Sequence, residues 1–288
     1  MITIAALALK ATACARWARP MSGTVERQLV VGGVTRTYLL HARGPSNPGR
    51  PLVLMLHGRG GTAAAMEQRT RGTFDKLADR DGAVVAYPQA LGDPTSWSAW
   101  IQAPRPDDVG FLSALIDSLV AEQGVDRKRV FAAGFSAGAS MVYRLACERP
   151  DLVAAVAPIS GTIPGDVAPI CVQNTMPVGI IGMQGTADSV VVLDNWVRDG
   201  VTAWARRNRC AADPISSRLR DTDPTDGTET RVDVYDQCAA GTQVAFYTVE
   251  GGGHNWPGGE ERLRGGATSR DFDAAELIWA FFQKHARR

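Results

Sequence analysis

Five short apolar runs, each too brief for a buried helix, alternate along this chain with segments of helical periodicity. The runs cover residues 52–56, 83–87, 130–133, 153–157 and 178–181, and the main helical segments cover 63–79, 109–123, 137–148 and 194–208. Strands that are apolar on both faces and separated by helices are typical of a parallel sheet with helices on its two sides. The sequence therefore predicts an α/β fold with a mostly parallel central sheet.

Segments at both ends of this pattern are expected to extend the fold. Residues 25–31 and 34–40 flank the glycine pair 32–33, a two-residue turn that is typical of an antiparallel hairpin. The last strand is predicted over 244–249, before a closing helix from 271 to 286. The sheet should therefore begin with an antiparallel hairpin.

The charge of the chain is almost balanced, with 31 basic and 30 acidic residues and a net charge of +1. This balance gives no general attraction to nucleic acid or to an anionic membrane, and neither is expected as a partner. No change in composition divides the 288 residues. We therefore expect a leader-like segment and linker over 1–24, followed by a single domain over 25–288.

An apolar run over 2–13 precedes Cys14 and is too short to span a bilayer. It ends in Ala-Thr-Ala at 11–13, the small-x-small pattern of a signal-peptide cleavage site, although Lys10 interrupts the run. We therefore expect a secreted or periplasmic protein without a transmembrane segment. Cleavage before Cys14 would also suit a lipid anchor, although Ala11 stands where such sites usually carry leucine.

Four cysteines follow the leader-like segment: Cys147, Cys171, Cys210 and Cys238. An even number in an exported chain predicts two disulfides, with three connectivities that spacing does not resolve. Pairing of sequence neighbours, Cys147 with Cys171 and Cys210 with Cys238, is the simplest; the alternative is four small buried thiols. The second pair would bracket the polar segment 211–229, which we interpret as a surface excursion. The sequence has no CxxC motif or Cys/His cluster, so no metal site is expected.

The pentapeptide Gly-Phe-Ser-Ala-Gly at 134–138 stands between an apolar strand and a helical segment. In this context G-x-S-x-G is typical of a nucleophile elbow, in which a sharp turn strains the serine backbone and the flanking glycines avoid a collision. Ser136 is therefore the predicted nucleophile. The alternative is a glycine and serine turn without chemistry, but the strand before it and the helix after it argue against that reading.

A serine nucleophile requires a base, and the chain has four histidines. His41 ends a predicted strand, His285 lies in the last helical turn, and His57 ends a strand before a glycine-rich loop. His254 follows the last strand in a flexible glycine-rich loop, from which an imidazole could reach Ser136. We therefore predict that His254 is the general base; the alternative is a solvent-exposed loop histidine.

The base in turn requires a carboxylate that fixes its tautomer. Asp188 lies in the loop after an intermediate strand at 178–183 and meets this demand. Asp194 lies six residues later, but its position before a helix is more typical of a helix cap. The resulting order of Ser136, Asp188 and His254 is that of the α/β-hydrolase fold.

Acyl transfer also requires N–H donors for the oxyanion. One is expected from Ala137, directly after the nucleophile, and the other from the loop His-Gly-Arg-Gly-Gly at 57–61. Arg59 is the first choice in that loop and Gly60 the second; the alternative is a simple strand-ending glycine turn.

Five motifs together resemble the polyhydroxybutyrate depolymerase and feruloyl esterase family, over residues 25–287. They are the loop at 57–61, Asp-Asp-Val-Gly-Phe at 107–111, the elbow at 134–138, Gly-Thr-Ala-Asp at 185–188 and Gly-His-Asn-Trp-Pro-Gly at 253–258. The resemblance implies an α/β-hydrolase fold, the triad of Ser136, Asp188 and His254, and the two cysteine pairs named above. Bacterial members of this family include secreted esterases and lipoproteins.

Two features depart from what the resemblance implies. Arg59 stands where relatives often carry a small or neutral residue, and a cation beside the oxyanion site could change substrate preference. A polymer-binding module is not recognised in the sequence, which predicts poor attack on solid polyester.

Three tryptophans near the predicted site are candidates for a pocket that holds an acyl or aromatic group. Trp256 lies two positions after His254, and Trp97 and Trp100 lie in the loop after the strand at 83–87. Trp256 is the stronger candidate for substrate binding; the alternative for all three is packing in the core.

The sequence therefore predicts a carboxylic ester hydrolase without a cofactor, in which Ser136 attacks the carbonyl and water later releases the acyl group. Short-chain, feruloyl or hydroxyalkanoate-type esters, small or oligomeric, are the expected substrates. The alternatives are a peptidase or an acyltransferase with the same triad, and a catalytically silent binding protein on the same scaffold.

Overall fold

The computed structural model describes residues 21–44, 47–102, 106–260 and 266–287. The leader-like segment predicted over 1–24, with Cys14, lies almost wholly outside these residues, so export and a lipid anchor stay predictions. Within the described residues, no helix is long and apolar enough to cross a membrane.

The described residues form one sheet of ten strands and seven α-helices. The strands are β1 (Thr24–Val31), β2 (Val34–His41), β3 (Arg50–Leu56), β4 (Val84–Pro88), β5 (Val125–Phe135), β6 (Ala155–Ile159), β7 (Gly179–Gly185), β8 (Ile215–Arg218), β9 (Glu229–Tyr235) and β10 (Val244–Glu250). The helices are α1 (Ala63–Arg69), α2 (Thr73–Asp81), α3 (Asp108–Gln123), α4 (Ala137–Glu148), α5 (Ala168–Gln173), α6 (Asn195–Arg207) and α7 (Ala274–Lys284).

The strand order in the sheet is β1-β2-β4-β3-β5-β6-β7-β10-β9-β8. The six strands from β4 to β10 in this order pair in parallel. The hairpin of β1 and β2 joins one edge in antiparallel fashion, and β9 and β8 join the other edge in the same way. The predicted mostly parallel sheet with an antiparallel N-terminal hairpin is confirmed.

Alternate residues of the central strands face opposite sides of the sheet and build two hydrophobic cores. In β3, Leu52 and Leu54 pack on the side covered by α3, α4, α5 and α6, whereas Val53 and Met55 pack on the side covered by α1, α2 and α7. All four side chains are fully buried. Helices therefore cover both faces, which explains why the central strands read as continuous apolar runs.

The helical segment predicted over 63–79 is two helices. Gly72 separates α1 from α2 and has a φ of +64°, in the left-handed region that glycine adopts without a steric penalty. The apolar periodicity continues across the break because both helices pack on the same face of the sheet.

The polar segment 211–229 is mostly exposed, in agreement with its interpretation as a surface excursion, and part of it is regular. It contains β8 and leads into β9, which pairs with β10 and buries Thr230 and Val232 in alternation. β8 is the edge strand and β9 lies between it and β10, and the exposed polar side chains of the segment hide the strand signal.

Both predicted cysteine pairs are disulfides in the structure. Cys147–Cys171 joins α4 to α5, and Cys210–Cys238 closes the insertion that contains β8 and β9. Beside that insertion, β7 and β10 pair directly in parallel. The loops that follow these two strands are therefore neighbours in space, although far apart in sequence.

Candidate active site

Ser136 lies at the turn between β5 and α4, with φ 55° and ψ −118°. This conformation is strained for a residue that has a side chain. A Cβ at Gly134 would lie 2.3 Å from the carbonyl oxygen of Gly138, and a Cβ at Gly138 would lie 2.2 Å from that of Leu56. Close backbone contacts therefore require both glycines, as the elbow motif predicts, and Ser136 lines an open cavity at the carboxyl end of the sheet.

Asp188 follows β7 and its side chain is buried. Its Oδ1 accepts hydrogen bonds from the N–H groups of Val190 at 2.9 Å and Val191 at 2.8 Å. Its Oδ2 accepts a bond from Gln184 Nε2 at 2.9 Å and lies 2.8 Å from His254 Nδ1. These contacts fix the carboxylate against the imidazole.

The ionisation of Asp188 follows from the same contacts. Burial by itself would raise the pKa of this carboxyl, but hydrogen bonds from His254 and from the N–H groups of Val191 and Val190 outweigh it, so the pKa lies below its ordinary value. The carboxylate is therefore charged at neutral pH. A charged carboxylate holds the ring proton on Nδ1 of His254, which leaves Nε2 as the nitrogen that can accept a proton.

The loops that carry Asp188 and His254 are joined by backbone contacts. Ala187 N–H donates to the Gly252 carbonyl at 2.8 Å, and a Cβ at Gly185 would lie 2.2 Å from the same oxygen. Glycine at 185 therefore permits a close approach that any side chain would block. The loop of His254, expected to be flexible, is instead fixed against its neighbour.

Ser136 and His254 line one cavity of about 330 Å³. Its walls come from the 57–61 loop, from α1, from the elbow and from Val190. The imidazole of His254 lies against the Phe135 ring, with 4.8 Å between the ring centroids. Chain segments from three parts of the sequence thus bring Ser136, His254 and Asp188 together at one end of the sheet.

Asp194, the alternative carboxylate, is the N-cap of α6. Its side chain caps α6 by accepting a hydrogen bond from Val197 N–H at 3.1 Å. The geometry puts Asp188 rather than Asp194 on the imidazole of His254.

His57 is buried and bonded through both ring nitrogens. Ala90 N–H donates to Nε2 at 3.1 Å, so the ring carries its proton on Nδ1, which lies 2.7 Å from the Gly58 carbonyl. Trp97 Nε1 donates to the carbonyl of His57 at 2.7 Å. Burial lowers the pKa of His57 to about 4, although the bond to Gly58 acts in the opposite direction. A neutral, fully bonded imidazole of this kind holds the start of the 57–61 loop.

The same loop supplies the candidate oxyanion donors. Gly60 N–H donates to the Thr95 carbonyl at 2.7 Å and is therefore occupied. No acceptor for the N–H of Arg59 is found in the part of the chain that the structure describes, so Arg59 remains the better candidate. Ala137, the other expected donor, begins α4 directly after Ser136.

Trp256 does not line the cavity, and its prediction as a substrate-binding residue is wrong. Its side chain is 0% exposed and packs edge-on against Phe74, with ring centroids 6.4 Å apart. The chain turns between His254 and Trp256, so the imidazole faces the cavity and the indole faces the core. Trp97 is also buried, and Trp100, although 46% exposed, is not part of the walls of this cavity.

Three residues at the site were not singled out from the sequence. The guanidinium carbon of Arg69, on α1, lies 4.0 Å from the centroid of the Phe135 ring, and both residues line the cavity. Gln184, at the end of β7, holds Asp188. A polar side chain in an otherwise apolar strand was a readable signal for Gln184. The position of Arg69 depends on how α1 docks, which no local pattern reveals.

The motif at 107–111 lies outside the cavity walls and supports the 57–61 loop indirectly. Asp108 is buried, pairs with Arg36 at 2.6 Å and accepts a hydrogen bond from Ser98 N–H at 2.7 Å. Ser98 is next to Trp97, whose indole holds the 57–61 loop. The motif therefore anchors the segment on which the candidate oxyanion loop rests.

Comparisons with known proteins identify the family to which the chain belongs. The chain matches the family described as Esterase PHB depolymerase over residues 37–202. It is 35% identical to the putative esterase NocK of Nocardia uniformis subsp. tsuyamanensis, over 90% of this chain and 82% of that protein. It is 28% identical to feruloyl esterase B of Piromyces equi, over 71% of this chain and 39% of that protein.

A solved acetyl xylan esterase from Aspergillus awamori has the same fold, with a TM-score of 0.67 at 16% identity, over 90% of this chain and 99% of that one. The family match contains the elbow and Asp188, and the match with the Nocardia protein extends over most of both chains. The protein therefore belongs to the PHB depolymerase family of esterases, on an α/β-hydrolase fold.

Proposed function

We propose that this protein hydrolyses carboxylic esters through an acyl-enzyme on Ser136, with His254 as general base and Asp188 as the carboxylate that orients it. One observation carries the proposal. His254 Nδ1 lies 2.8 Å from the buried Asp188 carboxylate, while the same imidazole shares a cavity with the strained Ser136. Activation of a serine requires a base that is oriented by one ring nitrogen and accessible to the hydroxyl through the other.

In the first step, Nε2 of His254 takes the hydroxyl proton as Oγ of Ser136 attacks the carbonyl carbon. The N–H groups of Ala137 and Arg59 donate to the oxyanion that forms. The intermediate collapses, His254 returns the proton to the leaving alcohol, and the acyl group stays on Ser136. In the second step His254 takes a proton from a water molecule as the water oxygen attacks the carbonyl of the acyl-enzyme. His254 then returns the proton to Oγ of Ser136, and the carboxylic acid is released.

The substrates that we propose are small or oligomeric esters with short-chain, feruloyl or hydroxyalkanoate-type acyl groups. The names of the relatives, feruloyl esterase and acetyl xylan esterase, support esters of this size. The cavity of about 330 Å³ supports them as well, since it lies at the lower end of the range of small-molecule pockets. With Trp256 in the core, an aromatic acyl group would contact Phe135 and Val190 rather than an indole.

We also propose that the protein is exported and that residues 25–288 form one catalytic domain. Two disulfides support an oxidising compartment. One continuous sheet that contains all ten described strands supports a single domain. Intact mass and N-terminal sequencing of protein from its native host would show whether cleavage occurs before Cys14 and whether that cysteine carries lipid.

The nucleophile is tested by Ser136→Ala, with Ser140→Ala as a matched control. The Ser140 hydroxyl lies one turn later on α4 and donates to the Thr162 carbonyl at 2.9 Å, outside the cavity. Ser136→Ala should lower turnover of nitrophenyl acetate and methyl ferulate by a factor on the order of 10⁶, with a melting temperature close to that of the wild type. Ser140→Ala should keep its turnover.

A serine-directed phosphonate gives a second readout of the same test. It should add its mass to the wild type and to Ser140→Ala but not to Ser136→Ala. Labelling or substantial activity of Ser136→Ala would mean that another residue is the nucleophile. Preferential transfer of the acyl group to an added alcohol instead of water would favour an acyltransferase.

A further inference from the structure

Two arginines line the catalytic cavity. They are Arg59, in the 57–61 loop, and Arg69, on α1. Among the described residues, the cavity walls include no aspartate or glutamate. Asp188 lies behind His254, with no exposed side-chain surface. The described side chains that line the cavity in front of Ser136 therefore include cationic groups and no carboxylate.

Arg59 has a fixed backbone and an exposed side chain. On one side Gly60 N–H donates to the Thr95 carbonyl at 2.7 Å, and the Thr95 hydroxyl donates to the Gly61 carbonyl at 2.7 Å. Within the described residues, no carboxylate pairs with the guanidinium of Arg59. An exposed arginine that lines a cavity and has no carboxylate partner among the described residues can bind a carboxylate of a ligand.

Arg69 adds a second charge close to the proposed base. Its guanidinium lies over the Phe135 ring at 4.0 Å, and the same ring lies 4.8 Å from the imidazole of His254. A negatively charged group on a substrate in this cavity would therefore meet a second guanidinium.

We propose that Arg59 binds a carboxylate of the substrate, so that the preferred esters carry an anionic group near the scissile bond. This inference rests on the proposed hydrolase function and narrows its substrate class. Guanidinium groups bind carboxylates in a bidentate fork, which gives orientation as well as attraction. The carboxylate would place the ester between Ser136 and the oxyanion donors.

A general effect of Arg59 on the oxyanion would have a different signature. Such an effect acts on every ester, because every ester forms the same oxyanion. Recognition of a carboxylate acts on the anionic ester alone. The ratio of kcat/KM for an anionic ester to kcat/KM for a matched neutral ester therefore isolates recognition.

Two matched pairs place the charge on either side of the scissile bond. 4-Acetoxybenzoate and 4-acetoxybenzamide differ in the alcohol part, and monoethyl adipate and ethyl hexanoate differ in the acyl part. Each pair is measured with the wild type, Arg59→Gln and Arg59→Lys. Arg71→Gln is the control, since Arg71 is exposed and lies outside this cavity.

Arg59→Gln should lower the ratio about 10-fold in at least one pair, and Arg59→Lys, which keeps the charge, should lower it less. Arg71→Gln should leave it unchanged. Raising the ionic strength should reduce the wild-type kcat/KM for the anionic ester more than for the neutral ester. If Arg59→Gln is inactive on all esters, the salt dependence of the wild type and the ratio measured with Arg59→Lys test the inference instead.

Ratios that agree within about twofold between the wild type and Arg59→Gln in both pairs, or no salt dependence, would overturn the inference. Hydrolysis of the neutral esters in that case would leave the proposed function standing. Failure of the wild type to hydrolyse any of the four esters would overturn both.

Discussion

The loop after β3 and the loop after β10 are alike in sequence and differ in chemistry. Both are rich in glycine, both carry a histidine, and both line the same cavity. His57, in the first loop, is 1% exposed and has backbone partners at both ring nitrogens. His254, in the second, has 12% of its side chain exposed and is held by the Asp188 carboxylate through Nδ1.

The partners of each ring, rather than its position after a strand, separate the two roles. A carboxylate on one nitrogen stabilises the protonated ring, and an open cavity at the other nitrogen admits a reactant. Backbone partners on both nitrogens, together with burial, keep His57 neutral and fix its ring in place, so that it supports the 57–61 loop. The same residue type therefore serves as a proposed base in one loop and as scaffold in the other.

His254→Ala would test this contrast with the largest expected effect. Loss of the proposed base should lower kcat for nitrophenyl esters by a factor on the order of 10⁶, because His57, the other histidine that lines the cavity, has partners at both ring nitrogens. Circular dichroism should show an unchanged fold. An equal or greater loss in a His57 variant would reverse the two assignments.

Asp188→Asn should have the next largest effect. An amide on Nδ1 no longer stabilises the imidazolium or enforces the tautomer, and kcat should fall by roughly 10⁴-fold. Asp194→Asn is the matched control, since asparagine is also a good helix cap and the kinetics should stay near wild type. A greater loss in Asp194→Asn would transfer the role of carboxylate to that residue.

His57→Gln should have a smaller kinetic effect and a distinct pH signature. Loosening of the 57–61 loop should lower kcat roughly 10- to 100-fold, because the candidate oxyanion donor would be held less firmly. The pKa of His57 is lowered from 6.5 to about 4 in the folded protein, so between these values the unfolded chain binds more protons. Stability therefore falls as the pH falls from 6.5 towards 4.

The same variant should remove this acid sensitivity. At pH 5 the wild-type histidine costs about 2 kcal/mol of folding free energy, which a glutamine does not. Melting temperatures of the two proteins at pH 7 and pH 5 provide the measurement. If the melting temperature falls by the same amount in the wild type and in His57→Gln, His57 is protonated in the native state at pH 5 and is not a neutral structural residue.

The parts of the site that could be predicted depend on residues close together in sequence. The elbow at Ser136 combines a strand, two glycines and a helix within a few positions, and each constraint is visible locally. The alternation of Leu52 and Val53 between two cores follows from strand geometry alone. Asp194 at the start of α6 is an equally local signal.

The parts that could not be predicted depend on contacts between distant segments. Trp256 lies two positions after His254, yet a turn sends it into the core against Phe74. Arg69 reaches the cavity because α1 docks beside the elbow. The glycines around His254 suggested flexibility, whereas Gly185 and Gly252 allow two backbones to touch. The number of glycines in a loop does not show which of these two roles they have, because glycine permits both a mobile backbone and a close backbone contact.

The direct pairing of β7 with β10, beside an insertion closed by Cys210–Cys238, has a consequence for engineering. The geometry of Asp188 and His254 is set by the paired strands and not by the length of the chain between them. Doubling the length of a flexible loop costs only about 0.6 kcal/mol. The exposed chain between the two cysteines is therefore a suitable place to graft an immobilisation tag or a carbohydrate-binding module, while the proposed catalytic pair stays where the sheet holds it.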